Sequence, residues 1–385
     1  MRVQIKHYLP VITLMFLTFF ILDVNPSEPS SGTTILKWIR PAQSGSHFIC
    51  GDAGERFIAW GFNYDHDRGG RLLEDYWHNE WNTIEEDFRE MKSLGANVIR
   101  IHLQTAQFLK SPKDPDPASL SQLARLLCLA EKTAIYLDIT GLGCYHKKNT
   151  PEWYDKLNEA ERWNAQALFW ESVAKICAAS PAVFCYDLMN EPILPGDGET
   201  ADDWLAGEFG GKYFVQRIAL DLAGRTRENV AETWIAKLTG AIRKHDSKHM
   251  ITVGVIPWAY VFTGAKPIFY TPETAPHLDF VSVHFYPQKN ETAKALDALK
   301  VYDIGKPIVV EEMFPLKCSL KELNDFIEGS RKIADGWLGF YWGKTIEEYR
   351  MNKSDIADAI TLGWLEYFRE KSVTMLKSEK CPDGK

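Results

Sequence analysis

The feature that most constrains the fold is a repeated alternation of short apolar segments with amphipathic helical segments, which runs from residue 47 almost to the end of the chain. Eight apolar segments are predicted strands: Ala59–Asn63, Asn97–Leu103, Ala134–Thr140, Val183–Asn190, Met250–Ile256, Phe280–Tyr286, Pro307–Glu312 and Gly336–Trp342. The predicted helices are Ile84–Leu94, Ser119–Glu131, Trp163–Ala178, Asn229–Lys244, Thr292–Val301, Leu320–Ile333 and Ile356–Phe368. Strands that alternate with helices form parallel sheets that are buried on both faces.

The count of eight strands predicts a closed (β/α)8 TIM barrel rather than an open sheet. No glycine-rich phosphate loop follows any of the strands, which removes the main reason to expect a nucleotide-binding sheet. A short hairpin, built from Phe48–Cys50 and Arg56–Ile58, is predicted to cap one end of the barrel.

Charge and cysteine usage exclude several classes of function. The 385 residues carry a net charge of −8, which argues against nucleic acid as a partner. The seven cysteines have neither zinc-ligand nor redox-pair spacing, so no structural metal is expected. An odd count leaves at least one thiol unpaired within the chain, and the pairing of the others stays open.

The N-terminus has the pattern of a targeting segment. Arg2, Lys6 and His7 precede an apolar run from Tyr8 to Leu22, which is shorter than the roughly 20 residues that a membrane-spanning helix needs. Residues 1–22 are therefore predicted to be a signal peptide or an uncleaved signal anchor, and the protein to be secreted or membrane-tethered. Residues 23–46 are predicted to be a linker, 47–372 the barrel domain and 373–385 a C-terminal tail.

Several chemically active side chains stand at the predicted carboxyl ends of strands, where barrel enzymes carry their chemistry. These residues are Arg100 on the second strand, Asn190 and Glu191 on the fourth, His284 and Tyr286 on the sixth, Glu312 on the seventh and Trp342 on the eighth. A buried carboxylate without a partner is costly. Two glutamates on different strands, among a cation, an imidazole and aromatic rings, therefore favour a catalytic site. His102 alone is interpreted as a hydrogen-bonded wall residue.

This set of residues resembles glycoside hydrolase family 5, within the large clan of retaining (β/α)8 glycosidases. The resemblance covers about residues 47–370 and is carried by Asn190-Glu191-Pro192, by the string from Lys306 to Glu312, and by His284-Phe285-Tyr286. It implies that Glu191 is the acid/base and Glu312 the nucleophile. It also implies that Arg100, Asn190, His284, Tyr286 and Trp342 bind substrate, and that neither a metal nor an organic cofactor is required.

The function that this resemblance implies is cleavage of a β-linked oligosaccharide or polysaccharide, either β-mannan or β-glucan, by a monomeric retaining enzyme. Two alternatives stay open. One is an exo-acting β-glycosidase or transglycosylase on short oligosaccharides, with the loop after the fourth strand closing one end of the cleft. The other is a non-catalytic barrel that binds glycans.

Three local features lead to further expectations. Thr140 stands where many family members have His, so a sugar hydroxyl contact is expected either to be lost or to be supplied by His146 in the next loop. The loop from Ile193 to about Glu228 is rich in aromatic residues and is expected to form a wall of the cleft. Because neighbouring residues of a strand point to opposite faces, Glu311 is expected to face the helical layer or a neighbouring loop, and only Glu312 the barrel mouth.

Overall fold

The computed structural model describes residues 35–351 and 355–377. The predicted signal segment (1–22) and the first half of the predicted linker (residues 23–34 of 23–46) therefore lie outside the described residues. The barrel strands are Ala59–Tyr64, Val98–Gln104, Tyr136–Gly143, Val183–Asp187, a fifth strand in two pieces (Met250–Thr252 and Gly254–Val255), Val281–His284, Ile308–Glu312 and Gly336–Phe340. They are called the first to eighth strands below.

The sheet is closed, because its two edges are the two pieces of the same strand. Met250–Thr252 pairs in parallel with the fourth strand, and Gly254–Val255 pairs in parallel with the sixth. Between these edges the remaining strands follow one another in sequence order, with the eighth paired to the first. The predicted (β/α)8 barrel is confirmed.

Helices of an outer layer follow the strands. The longer ones are Trp81–Ser93, Pro117–Thr133, Glu159–Cys177, Arg227–Arg243, Thr292–Lys300, Leu320–Ser330 and Ile356–Met375, and one-turn helices include Leu73–Tyr76, Thr105–Phe108, Glu152–Asp155, Trp258–Val261 and Ile346–Met351. Polar residues fix several helix starts: Asn158 and Ser319 each form a capping box with a glutamate three residues later. The last helix packs onto the first strand, where Phe368 stacks on Trp60 at 4.6 Å.

A three-stranded antiparallel sheet closes the end of the barrel opposite the strand carboxyl ends. Its strands are Ile39–Pro41, Phe48–Cys50 and Glu55–Phe57. Phe48 inserts between Phe184 and Phe280, with both ring centroids 5.2 Å away. The predicted capping hairpin is present and has one additional strand.

The folded domain is therefore longer at both ends than the sequence predicted. Ile39 is buried in the capping sheet, although it falls within the predicted linker. The last helix continues to Met375, which is fully buried and falls within the predicted tail. Within the described ranges, no helix combines the length and the apolar character that crossing a bilayer requires.

A β-bulge interrupts the seventh strand at Glu311. Val283 pairs with Val310, but the next residue, His284, pairs with Glu312, so Glu311 is the extra residue. A bulge bends its strand and redirects the side chains that follow it. Strict alternation of faces therefore ends at this point of the strand.

The expectation that Glu311 faces the helical layer is wrong. Glu311 has the same orientation as Val309, which packs inside the barrel with Phe280, and it is fully buried. A side chain on Gly254 would collide with the Glu311 carboxylate at 2.4 Å, which locates that carboxylate against the fifth strand within the barrel. The bulge then turns Glu312 to the barrel mouth as well, so both glutamates point inward.

Candidate active site

Glu191 lies in a tight turn after the fourth strand, between Asn190 and Pro192. Its backbone φ is +47°, in the left-handed region that residues other than glycine rarely adopt. Its N–H donates to the carbonyl oxygen of Gly254 at 2.9 Å, which ties the turn to the fifth strand. The side chain remains 17% exposed. Strained backbone of this kind is concentrated at functional sites, and here it holds a carboxyl group at the barrel mouth.

Glu312 faces Glu191 across the mouth. One carboxylate oxygen of each residue lies within 4.8 Å of the other. The Arg100 guanidinium is 2.7 Å from Glu312 Oε1, and the Tyr286 hydroxyl donates to Oε2 at 2.6 Å. Burial raises the pKa of Glu312, whereas the positive charges of His284 and Arg100 act in the opposite direction. Arg100 thus pairs with the Glu312 carboxylate, but its charge does not outweigh the effect of burial on the pKa of Glu312.

Arg100 lies on the floor of the site with its guanidinium fully buried. Its Nη1 donates to Asn63 Oδ1 at 2.9 Å, and its Nη2 donates to Asp187 Oδ2 at 2.7 Å and to Asn190 Oδ1 at 2.9 Å. Glu311 is 3.4 Å from the same Nη2. The planar fork of arginine suits such a cluster of acceptors, so Arg100 joins the second, fourth and seventh strands.

His284 is fully buried between carboxylates. Its Nδ1 is 2.9 Å from Glu191 Oε1 and 3.5 Å from Glu312 Oε2, and its Nε2 is 3.3 Å from Glu311 Oε2. Burial by itself lowers the pKa of His284, but the surrounding carboxylates outweigh it and raise the pKa to about 10. The imidazole is therefore a cation at neutral pH, with an N–H donor on each side.

Further carboxyl groups lie below the mouth. Arg100 and His284 hold the pKa of Glu311 down to about 2 although its burial acts to raise it. Burial and the nearby charge of Glu311 raise the pKa of Asp138 well above its usual range. We interpret Asp138 as a neutral acid next to an ionised Glu311.

The candidate centre opens into a cleft of about 530 Å³. Trp342 forms part of one wall, with its ring 5.4 Å from Phe340 and nearly parallel to it. The loop after the fourth strand forms another part, because it folds into a hairpin of Leu205–Phe209 and Lys212–Arg217. Asn190 donates from Nδ2 to the carbonyl oxygen of Phe214 in this hairpin at 3.0 Å. The expectation that this loop walls the cleft agrees with the structure.

Glu191, His284 and Glu312 are also a set of ligand types that metal ions use, with one atom of each within 4.8 Å of the others. Each of these side chains is already engaged within the protein, because His284 Nδ1 lies 2.9 Å from Glu191 Oε1 and the two Glu312 oxygens contact Arg100 and Tyr286. The three side chains therefore need no ion to satisfy them.

One protein-family model matches most of the chain. The model of the cellulase family, glycosyl hydrolase family 5, matches residues 53–343. The chain belongs to glycosyl hydrolase family 5. No curated protein sequence gives a significant match.

Solved structures of the same fold include several glycosyl hydrolases. An exo-beta-1,4-mannosidase from Opitutaceae bacterium strain TAV5 has a TM-score of 0.63 and 19% identity over 86% of this chain, which spans 61% of that longer chain. The catalytic domain of an endoglucanase from Thermobifida fusca, solved with cellotetraose, has a TM-score of 0.56 and 14% identity, over 87% of this chain and 97% of that one. A beta-mannanase from the blue mussel Mytilus edulis has a TM-score of 0.55 and 14% identity, over 88% and 96%.

The predicted site residues of this family 5 hydrolase come together at one mouth. Glu191, Glu312, Asn190, Tyr286 and Trp342 all line the cleft. The other two predicted residues, Arg100 and His284, are fully buried directly beneath it and contact the glutamates rather than the open space. Their direct contacts are therefore with the two carboxyl groups.

Two expectations about neighbouring residues have different outcomes. His102 is a buried wall residue as interpreted, with Nδ1 2.5 Å from the Tyr145 hydroxyl. The alternative that His146 supplies the sugar contact is wrong, because His146 lines a separate recess with Leu72 and Asp75. The alternative that the contact is lost stays a prediction. Thr140 is fully buried and donates to Asp187 at 2.8 Å, so this position supports the floor of the site.

Sequence reasoning missed several residues of this family 5 site. Asp65, directly after the first strand, lines the cleft and is held by His66 Nδ1 at 2.7 Å. Phe214 packs against His66 and Tyr145 across the cleft wall. The position of Asp65 at the end of a strand was a signal that could have identified it. No sequence pattern identifies which aromatic residue of a long loop turns to the cleft.

Proposed function

We propose that this hydrolase cleaves β-linked glycans, β-mannan or β-glucan, with retention of configuration through a glycosyl-enzyme. The observation that carries the proposal is the separation of the two carboxyl groups. Oxygens of Glu191 and Glu312 lie within 4.8 Å of each other. Retaining glycosidases have carboxyl groups about 5–5.5 Å apart, whereas inverting enzymes need about 6.5–9.5 Å to admit a water molecule.

In the first step the Glu312 carboxylate attacks the anomeric carbon, and the glycosidic C–O bond breaks. Glu191 transfers its proton to the departing oxygen in the same step. In the second step Glu191 removes a proton from water, which attacks the anomeric carbon and releases Glu312. The Tyr286 hydroxyl and Arg100, which contact Glu312, support its role by orienting the carboxylate. Trp342 offers an aromatic face for the apolar side of the sugar.

The test is a hydrolysis panel of mannan, mixed-linkage glucan, cellulose and xylan with product analysis. We expect turnover of mannan or glucan by the wild-type protein. The Glu312→Gln variant keeps the shape of the side chain, so we expect glycan binding to survive and turnover to fall by at least about a thousandfold. Binding without turnover by the wild-type protein would identify a glycan-binding barrel and contradict the proposal.

A second candidate is exo-action on short oligosaccharides, and the hairpin of the fourth-strand loop favours it. Phe214 lies 6.3 Å from His66 and 4.9 Å from Tyr145 between ring centroids, so this wall reaches the loops of the first and third strands. A wall across the cleft limits the length of chain that can bind. Release of one small sugar from the start would support exo-action, and a ladder of products would support endo-action.

We also propose that the protein acts outside the cytoplasm, either released or tethered. The support is the sequence of residues 1–22, where basic residues precede the apolar run Tyr8–Leu22. Expression in a secreting host, followed by N-terminal sequencing of the product, tests this. A cleaved N-terminus in the medium would support release, recovery in the membrane fraction would support tethering, and cytosolic recovery would contradict both.

A further inference from the structure

Glu311 is a fully buried, charged residue that the steps above do not use. Its Oε1 accepts a hydrogen bond from Ser282 Oγ at 2.8 Å, and its Oε2 faces His284 Nε2 at 3.3 Å and Arg100 Nη2 at 3.4 Å. Burying a charged carboxylate costs free energy of desolvation, and an apolar side chain would fill the same space without that cost. Packing alone therefore does not explain a glutamate at this position.

The contact with His284 connects Glu311 to the mouth of the site. His284 Nε2 faces Glu311, and on the opposite side of the same ring Nδ1 faces Glu191 Oε1 at 2.9 Å. The three side chains form one line from the barrel interior to the mouth. We propose that Glu311 is a positioning residue that acts through His284 on Glu191. The inference rests on the proposed function, in which Glu191 is the proton donor.

The chemistry of the line follows from its charges. When Glu191 gives its proton to the departing oxygen, it becomes an anion at the half-buried mouth of the site. The N–H of a charged imidazole stabilises the Glu191 carboxylate more strongly than the N–H of a neutral imidazole does. Charge-assisted hydrogen bonds are about twice as strong as hydrogen bonds between neutral groups. Glu311 fixes the ring by accepting from its other nitrogen and balances the positive charge in the barrel.

His284 is surrounded by charged or titratable groups on five strands. These are Arg100 and His102 on the second strand, Asp138 on the third, Asp187 and Glu191 on the fourth, Tyr286 after the sixth, and Glu311 and Glu312 on the seventh. His102 is neutral, because burial lowers its pKa well below the usual range. Arg100 is the one cation among these neighbours, and its charge disfavours protonation of His284. The protonated form of His284 therefore depends on the surrounding carboxylates.

The first experiment compares leaving groups in variants of residue 311. Glu311→Gln removes the charge and keeps the shape. A dinitrophenyl glycoside needs little protonation of its leaving group, whereas a phenyl glycoside needs the proton from Glu191. We expect Glu311→Gln to lower kcat/KM about 10- to 100-fold for the phenyl glycoside and less than about 3-fold for the dinitrophenyl glycoside. Glu311→Asp keeps a charge and should recover part of the loss.

Asp138→Asn is the matched control. Asp138 is buried in the same interior, but we interpret it as a neutral acid, which an amide imitates. Its ratio of phenyl to dinitrophenyl activity should equal that of the wild-type protein. Equal losses on both glycosides in Glu311→Gln, as a purely structural role predicts, would overturn the proposal.

The second experiment observes His284 directly by nitrogen NMR, with His284→Gln to assign its signals. In the wild-type protein we expect both nitrogens to remain protonated up to at least about pH 9, because the pKa is about 10. In Glu311→Gln we expect this pKa to fall by about 1 to 3, since one opposite charge is lost. A neutral His284 in the wild-type protein at pH 8 would overturn the proposal even if the variant did not fold. Absence of all glycoside hydrolysis together with a charged His284 would instead contradict the proposed function.

Discussion

Replacement of Arg100 by methionine should destabilise the protein far more than replacement of a surface arginine with equally short ion pairs. Arg100 is fully buried and holds Asp187 and Glu312, each at 2.7 Å, and Glu311 at 3.4 Å. Methionine fills a similar volume but leaves these buried carboxylates without their shared cation. Breaking a buried pair in this way costs about 3–5 kcal/mol.

Urea unfolding measures the loss, with Arg71→Met as the control. Arg71 pairs with Asp67 and Glu80 at 2.7 Å each, but its side chain is 46% exposed. Exposed pairs contribute about 0–1 kcal/mol, so the control should remain near the wild-type protein. A free energy of unfolding for Arg100→Met within about 1 kcal/mol of the wild type would refute the reasoning.

The pH dependence of this deficit has a definite sign. In the wild-type protein the pKa of Glu311 is about 2, below the value of about 4.3 in an unfolded chain. The stability that ionised Glu311 contributes is therefore present above about pH 4.3 and is lost as the pH falls towards 2. Without Arg100 the folded-state pKa rises, so the deficit should be largest at neutral pH and should shrink towards pH 3. A deficit independent of pH would contradict this assignment.

Three further predictions concern the mouth of the site. Trp342→Ala should lower kcat/KM about 10-fold or more through lost stacking on the sugar, with little change in melting temperature. A large fall in melting temperature with normal activity per folded molecule would show that Trp342 serves core packing instead. Phe214→Ala should open the cleft wall and lengthen the products seen by chromatography. An unchanged product pattern would show that Phe214 does not limit the length of the bound glycan. Activity should fall in acid as Glu312 is protonated, at a pH above the usual glutamate range because burial raises its pKa; a profile flat down to pH 4 would contradict this role.

The barrel could be predicted from the sequence because its elements follow simple periodicities. The apolar strands and amphipathic helices were located within a few residues of their observed bounds, except that the last helix continues beyond Phe368 to Met375. Asn190-Glu191-Pro192 located the acid/base candidate. Alternation along the seventh strand failed at Glu311. Alternation assumes one residue per pairing step, but the bulge adds Glu311 to the seventh strand opposite the step from Val283 to His284. That extra residue depends on pairing with the sixth strand, which the sequence of the seventh strand does not show.

Contacts between distant segments account for the other differences. The strand Ile39–Pro41 exists because it pairs with Phe48–Cys50. In the sequence it follows soon after the Pro-, Ser- and Gly-containing residues 23–34, so it was included in the linker. His146 was considered for a sugar contact because it lies in the loop that follows Thr140. The conformation of that loop, which the sequence does not show, turns the His146 side chain to a different recess. The loop that contains Phe214 is long and carries several aromatic residues, and only the packing of Phe214 on Tyr145 turns this ring rather than another to the cleft.

The stereochemistry of the first product tests the central assignment of Glu191 and Glu312 most directly. Proton NMR during hydrolysis of an aryl β-glycoside distinguishes the anomer released by the enzyme from the one formed later by mutarotation. If Glu312 forms a glycosyl-enzyme across a gap of less than 5 Å, the β-anomer appears first. First appearance of the α-anomer would show a single displacement by water and would contradict the roles given to both glutamates.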